Sequence, residues 1–226
     1  MNYTVQSGDT MNSISQRYNL DLDQLIAANP HISNPHEIHP GQEIIVPSSG
    51  SHSRHHQYRL SEPYPEIKVM GENLHYAALL HEDFAGKVSE VTAVMQYTHH
   101  QLELDMMPGL QEAAELLEGI SIVEMKHLEM LGKTIILLGG APQYNSNFQL
   151  WTPLYVSYCD FNPVLQIQED IQGELDAIAQ YHHHIRMIDD PFIQALLARI
   201  IKDEEDHVRR LTIQLNKLGQ WHCPKR

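Results

Sequence analysis

Glu124-Met125-Lys126-His127 and, 80 residues on, Glu204-Glu205-Asp206-His207 decide how this 226-residue sequence folds. On an α-helix, positions i and i+3 lie about 60° apart and one turn along, so each glutamate points with its histidine. Apolar residues straddle both pairs: Ile120, Val123, Leu128 and Leu131 around the first, Ile200, Ile201, Val208 and Leu211 around the second. Both pairs therefore belong at the core face of their helices.

Outward from these pairs the sequence repeats itself. Ser89–His100 aligns with Gly173–His184 at an offset of 84, with Glu, Ala, Gln, Tyr, His and His coinciding. The segments around His127 and His207 align at an offset of 80, Leu138-Gly139 meeting Leu218-Gly219. Helices are expected over 72–104, from Pro108 to Leu138, from Pro163 to about Asp189, and from Pro191 to Gly219. A long connection, Gly139 to Asn162, separates the second from the third, which suggests a ferritin-like four-helix bundle rather than a simple up-down one. The fold class is mainly α.

Each half offers one further carboxylate, Glu90 or Glu174, beside its Glu-x-x-His. Glu90, Glu124 and His127, with Glu174, Glu204 and His207, suit two metal ions flanked by bridging carboxylates. Without cations, four buried carboxylates are untenable. Asp83 and Tyr97, seven residues either side of Glu90, are expected within about 20° of its face. Tyr97 and Tyr181 are expected to hydrogen-bond the ligands from behind.

The motifs Glu90-Val91-Thr92-Ala93-x-x-Gln96-Tyr97, Glu124-x-x-His127-x-Glu129-Met130-Leu131-Gly132 and Glu169-Asp170-Ile171-x-x-Glu174 resemble the ferritin-like superfamily. The manganese catalases and their spore-coat relatives are nearest, and Trp151-Thr152-x-x-Tyr155-Val156 is similar to their crossover. The resemblance implies Glu90, Glu124, His127, Glu174 and His207 as ligands of two manganese ions, alternatively two iron ions. It makes Glu204 either a sixth ligand, as in di-iron relatives, or a catalytic proton carrier, as in manganese catalases. Ala177 stands where rubrerythrins carry an extra glutamate, and no Cys-x-x-Cys pair occurs. The implied activity is hydrogen peroxide degradation. The alternatives are a ferroxidase or iron-handling protein, and a structural wall or spore-layer protein without activity.

Before the bundle lies a small βααβ module. Tyr3–Ser7 alternates like a strand, Asp9 or Thr10 caps a first helix through Tyr18, Asp21 a second through Ala27, and Glu43–Pro47 closes the module. Tyr3-x-Val5-x-x-Gly8-Asp9-Thr10, Asn29-Pro30-x-Ile32 and Pro40-Gly41-Gln42 look like a LysM domain. That family binds N-acetylglucosamine-containing glycans such as peptidoglycan or chitin. The resemblance places the groove at Gly8, Asp9, Thr10, Asn29, Pro30, His31 and Ile32.

The expected domains are thus 1–47, a flexible His/Ser-rich linker over 48–71, and the bundle over 72–226. A formal charge of −14 argues against nucleic acid or an anionic membrane as partner, and no apolar run approaches the roughly 18 residues that cross a bilayer. No secretory signal is visible, and two distant cysteines fit a reducing compartment. The expectation is synthesis in the cytoplasm, deposition on a spore coat or cortex surface, and a homo-oligomer through the bundle. His99-His100 and His182-His183-His184 are expected at the surface or at oligomer contacts, and His52, His55 and His56 as solvated.

Overall fold

The computed structural model describes residues 2–18, 22–32, 34–35, 37–46, 58–146 and 149–219. The chain forms two compact units, Met1–Arg54 and His55–Arg226. In the first, β1 (Asn2–Thr4) pairs antiparallel with β2 (Glu43–Ile45), Tyr3 opposite Ile44, around α1 (Met11–Arg17) and α2 (Leu22–Ala27). Val5, Met11, Ile14, Leu25, Ile44 and Val46 fill the core. Thr10 takes the cap of α1: its Oγ1 accepts from Ser13 N at 3.0 Å while Ser13 Oγ accepts from Thr10 N at 2.9 Å. Asp9 is thereby free to accept from Tyr3 Oη (2.6 Å), Gln6 N (2.8 Å) and Arg17 Nη2 (2.7 Å). The expected cap Asp21 and the linker stretch 47–57, with its three histidines, lie outside the described residues.

The second unit is two helical hairpins. α4 (Glu90–Asp105) pairs with α5 (Gln111–Leu137), and α6 (Pro163–Met187) with α7 (Pro191–Leu218). Pro163 and Pro191 open their helices after caps at Asn162 and Asp190, and Gly139 turns the chain beyond α5 at φ +84. The long crossover carries a small hairpin, β3 (Asn145–Ser146) with β4 (Gln149–Leu150). It is moored to α4 by Trp151 Nε1 donating to Thr92 Oγ1 at 2.9 Å and Ser157 N donating to Gln96 Oε1 at 2.9 Å. One apolar cluster centres on Leu80, Leu131, Ile135, Leu197 and Ile200, a second on Leu104, Leu117, Ile120, Ile167 and Leu211.

Two expectations need correction. The first helix is not continuous from 72 to 104: α3 (Leu74–Ala85) ends, and α4 begins anew at Glu90. A Cβ on Gly86 would lie 2.5 Å from Glu82 O, and Ser89 Oγ caps α4 by accepting from Thr92 N. Asp83 consequently leaves the face of Glu90. The linker, second, does not reach residue 71. Leu60 N donates to Asp203 Oδ1 at 2.8 Å, Met70 N to Asp190 Oδ2 at 2.7 Å, and buried Arg199 donates to the carbonyls of Leu60 and Glu62. Tyr58, Tyr64, Ile67 and Val69 pack on the two clusters. These bonds to non-local partners leave no periodicity in the sequence, so residues 58–71 belong to the bundle as a strap. No helix of the described residues is long and apolar enough to cross a membrane.

Candidate metal centre

Each helix of the two hairpins contributes to one buried polar layer. α4 brings Glu90, α5 Glu124 and His127, α6 Glu174, and α7 Glu204 and His207, none more than 4% exposed. Two donor sets result: Glu90, Glu124, His127 and Glu204, and Glu124, Glu174, Glu204 and His207, each with its ligand atoms within 4.8 Å of one another. Glu124 and Glu204 belong to both sets. The six residues singled out by the repeat are therefore all brought together.

Both imidazoles turn Nδ1 inward. His127 Nδ1 lies 3.1 Å from Glu124 Oε2 and from Glu204 Oε1; His207 Nδ1 lies 2.9 Å from Glu124 Oε1 and 3.0 Å from Glu204 Oε2. His207 Nε2 sits 3.0 Å from Tyr58 O, which only accepts, so that nitrogen carries a proton and Nδ1 is the one that faces a cation once its own proton is displaced. Glu124 Oε1, Glu204 Oε2 and His207 Nδ1 are buried and near one another, yet their angles form no hydrogen bond. Lone pairs converging on one point are what a cation requires. Four carboxylates and two imidazoles suit manganese or iron better than a soft thiophilic ion. The residues fit a dimetal centre.

The electrostatics point the same way. Burial, then the Glu124 carboxylate, pushes Glu90 well above the ordinary range, and burial with Glu204 and Glu124 raises Glu174 to about 8. Burial would raise Glu124 as well, but His127 and His207 outweigh it and hold the carboxyl low. Burial would lower both imidazoles, yet Glu204 and Glu124 around His127, and Glu124 first around His207, keep them high. Protons thus stand in for positive charge here, and divalent ions compete with them.

Tyr97 Oη donates to Glu174 and Tyr181 Oη to Glu90, each tyrosine holding the carboxylate of the other half. A cavity of about 210 Å³ between α4 and α6 opens onto Glu90, Glu124, Glu174 and Glu204 past these rings.

The histidine clusters are not uniformly at the surface, which corrects the sequence reading. His100 and His184 are 0% and 1% exposed, whereas His182 and His183 are exposed. His100 Nδ1 lies 2.9 Å from Asp170 Oδ1 and its Nε2 2.6 Å from Ser157 O. His184 Nδ1 lies 2.8 Å from Asp83 Oδ2. Gln96 and Gln180 donate to the same two aspartates at 2.9 and 2.8 Å. The signal for these pairs was in the repeat: Gln96/Gln180 and His100/His184 coincide at the same offset as Glu90/Glu174. Asp203 and Tyr64, which face His127 Nε2 at 3.3 Å each, lie outside the repeat.

In the first unit Gly8, Thr10, Pro30 and His31 are exposed and Asp9 half-buried. Asn29 is 1% exposed with its amide committed to backbone: Nδ2 donates to the carbonyls of Leu25 and Ile45 at 2.7 Å each, and Oδ1 accepts from Ile45 N at 2.6 Å. Ile32 packs in the core.

Comparison with known proteins agrees with both units. The N-terminal segment is 58% identical over 45 residues to the secreted LysM effector ECP6 of Passalora fulva, covering 20% of each chain, so this chain spans a fifth of that relative. A probable manganese catalase of Clostridium acetobutylicum is 27% identical over 175 residues, covering 68% of this chain and 76% of that one. The solved bacterioferritin BfrA of Mycobacterium tuberculosis superposes with a TM-score of 0.55 at 29% identity, covering 67% of this chain and 90% of that one. Residues 3–47 match the LysM domain and residues 80–220, more than half the chain, the ferritin-like domain. The chain belongs to the ferritin-like family and carries a LysM domain at its N-terminal end.

Proposed function

We propose that this protein is a glycan-tethered dimetal oxidoreductase that disproportionates hydrogen peroxide, two molecules giving two of water and one of dioxygen, with manganese in the Glu/His centre. The observation that carries this reading is the cavity of about 210 Å³ over the shared carboxylates. It gives a molecule as small as peroxide a route to the carboxylates of the centre. Peroxide both gives and takes the electrons, so no separate reductant is needed. When bound, the ions supply Lewis acidity and two-electron redox capacity. The chain would hold them as a pair through Glu124, with Glu174 and Glu90 fixed by Tyr97 and Tyr181. Glu204 Oε2, free of hydrogen bonds, is placed to take and return a peroxide proton. The likeness to a probable manganese catalase supports the choice of metal.

The test is elemental analysis of protein made with manganese and iron both available, followed by an oxygen electrode. Manganese-loaded protein that evolves no oxygen above manganese alone rejects the reading. A second reading, oxidation of ferrous iron, is favoured by Glu204 standing in both donor sets and by the likeness to bacterioferritin. It predicts two irons per chain and a visible diferric band on mixing Fe²⁺ with oxygen.

The LysM domain, in the same proposal, holds the enzyme on N-acetylglucosamine-containing glycan through the exposed loops of Gly8-Asp9-Thr10 and Pro30-His31, with Asn29 and Ile32 shaping the second loop from beneath. Its setting is a spore surface. Retention on insoluble peptidoglycan tests the first statement; a fluorescent fusion spread through vegetative cytoplasm and missing from spores overturns the second.

A further inference from the structure

We propose that the two ion positions are chemically unequal, the one served by His127 binding its ion more tightly than the one served by His207. This rests on the dimetal reading above and adds to it a difference between two halves that the repeat makes look alike.

The difference lies behind the imidazoles. His127 Nε2 faces a carboxylate, Asp203 Oδ2, and the Tyr64 hydroxyl, each at 3.3 Å, and Tyr64 Oη itself donates to Asp203 Oδ2 at 2.6 Å. The other oxygen, Asp203 Oδ1, accepts from Leu60 N at 2.8 Å and lies 2.9 Å from Arg199 Nη1, which fixes the carboxylate in this orientation. Among the described residues, His207 Nε2 faces a neutral acceptor, Tyr58 O at 3.0 Å. At the offset of 80 that superposes the two Glu-x-x-His pairs, the counterpart of Asp203 is Val123, buried and apolar. The repeat has thus placed a charged acceptor behind one histidine and none behind the other.

An imidazole whose outer N–H is held by a carboxylate is a stronger base at its inner nitrogen than one held by a carbonyl. Losing such a partner typically costs about 10–100-fold in metal affinity. Glu124 and Glu204 are common to both positions, and Glu90 and Glu174 each accept from a tyrosine; the charge behind the imidazole is the difference that an Asp203 variant isolates.

Single-histidine variants of the full chain isolate each position and remove the mutual repulsion of two ions. Titrated with Mn²⁺ alone, His207→Ala, which keeps the His127 position, is expected to bind one ion more tightly than His127→Ala, by less than the roughly 10–100-fold that losing an outer partner altogether costs. Adding Asp203→Asn should abolish that advantage in the His207→Ala background and leave the His127→Ala affinity unchanged. Circular dichroism checks that each variant keeps its helices. If a variant does not fold, crystals of the wild-type chain grown with one equivalent of Mn²⁺ answer the same question, with anomalous density expected beside His127. Equal affinities, an Asp203→Asn effect of the same size in both backgrounds, or density beside His207 first would overturn the inference alone. Wild-type protein that binds no ion would overturn the dimetal reading and this inference together.

Discussion

Asp170→Ala should unsettle the bundle far more than an average core substitution, because it strands a charge. His100 is completely buried between Asp170 Oδ1 at 2.9 Å and Ser157 O at 2.6 Å. Both of its nitrogens therefore face acceptors, and the ring is held as an imidazolium. Burial would lower its pKa, but the hydrogen bond and charge of Asp170 outweigh it and raise it. Removing one partner of a buried ion pair costs about 3–5 kcal/mol. For a unit of this size each kcal/mol moves the melting temperature by about 2–4 °C, so a fall of roughly 6–20 °C is expected. The sign with pH follows from the raised histidine: its contribution is fully present below the unfolded value of about 6.5 and is lost as pH rises through the folded value. The gap between wild type and Asp170→Ala in scanning calorimetry should accordingly be widest below pH 6.5 and narrow in alkali. His100→Leu with Asp170→Leu, which strands no charge, should recover most of the loss. A single variant melting within about 2 °C of wild type at acid pH, less than 1 kcal/mol, would refute the reasoning.

Three further outcomes follow from other sites. Asn29→Ala removes three hydrogen bonds to Leu25 and Ile45 backbone, at about 1–3 kcal/mol for each buried group left unpaired; calorimetry should lose the LysM transition while the bundle transition stays, and an unchanged LysM transition contradicts it. Metal-free protein should lose stability as pH rises from about 4.5 towards 8, because Glu174 is raised to about 8 and its buried neutral form becomes ionised. Protein loaded with ions should not follow that trend, and parallel urea titrations over pH distinguish the two. Gly119→Ala would put a Cβ 2.0 Å from the Tyr58 ring, so the strap must shift, at about 1–3 kcal/mol; a melting temperature equal to wild type would show that the strap yields freely.

The six carboxylate and imidazole donors were legible in the sequence because helical spacing and an internal repeat both constrain them, and neither signal needs tertiary information. The C-terminal three helices were legible for similar reasons, with Pro163, Pro191, Gly139 and Gly219 at or beside their ends. What escaped was whatever depends on partners distant in sequence. The strap is written as Tyr58, Leu60 and Tyr64 without periodicity, and its order comes from Asp203 and Arg199, some 140 residues away. His100 and His184 were misread because runs of adjacent histidines, His182 and His183 exposed among them, make a cluster look solvated, whereas only one helix face of each cluster turns inward.

The break before Glu90 shows why glycine alone is a poor guide. Gly86 and Gly173 each precede a metal-facing glutamate, yet α6 runs straight through Gly173 while the chain breaks at Gly86. A Cβ on Gly173 would meet nothing within 4 Å, whereas one on Gly86 would collide with Glu82 O. The residue that closes the argument is Ser89, which caps a new helix where its counterpart, Gly173, has no side chain to do so. Glu90 thus opens α4 and sits in its first turn, where the helix dipole favours a carboxylate, while Glu174 lies deep inside α6 without that help. The duplication set the same residue types around the centre; local capping and one distant strap then made the two halves physically different.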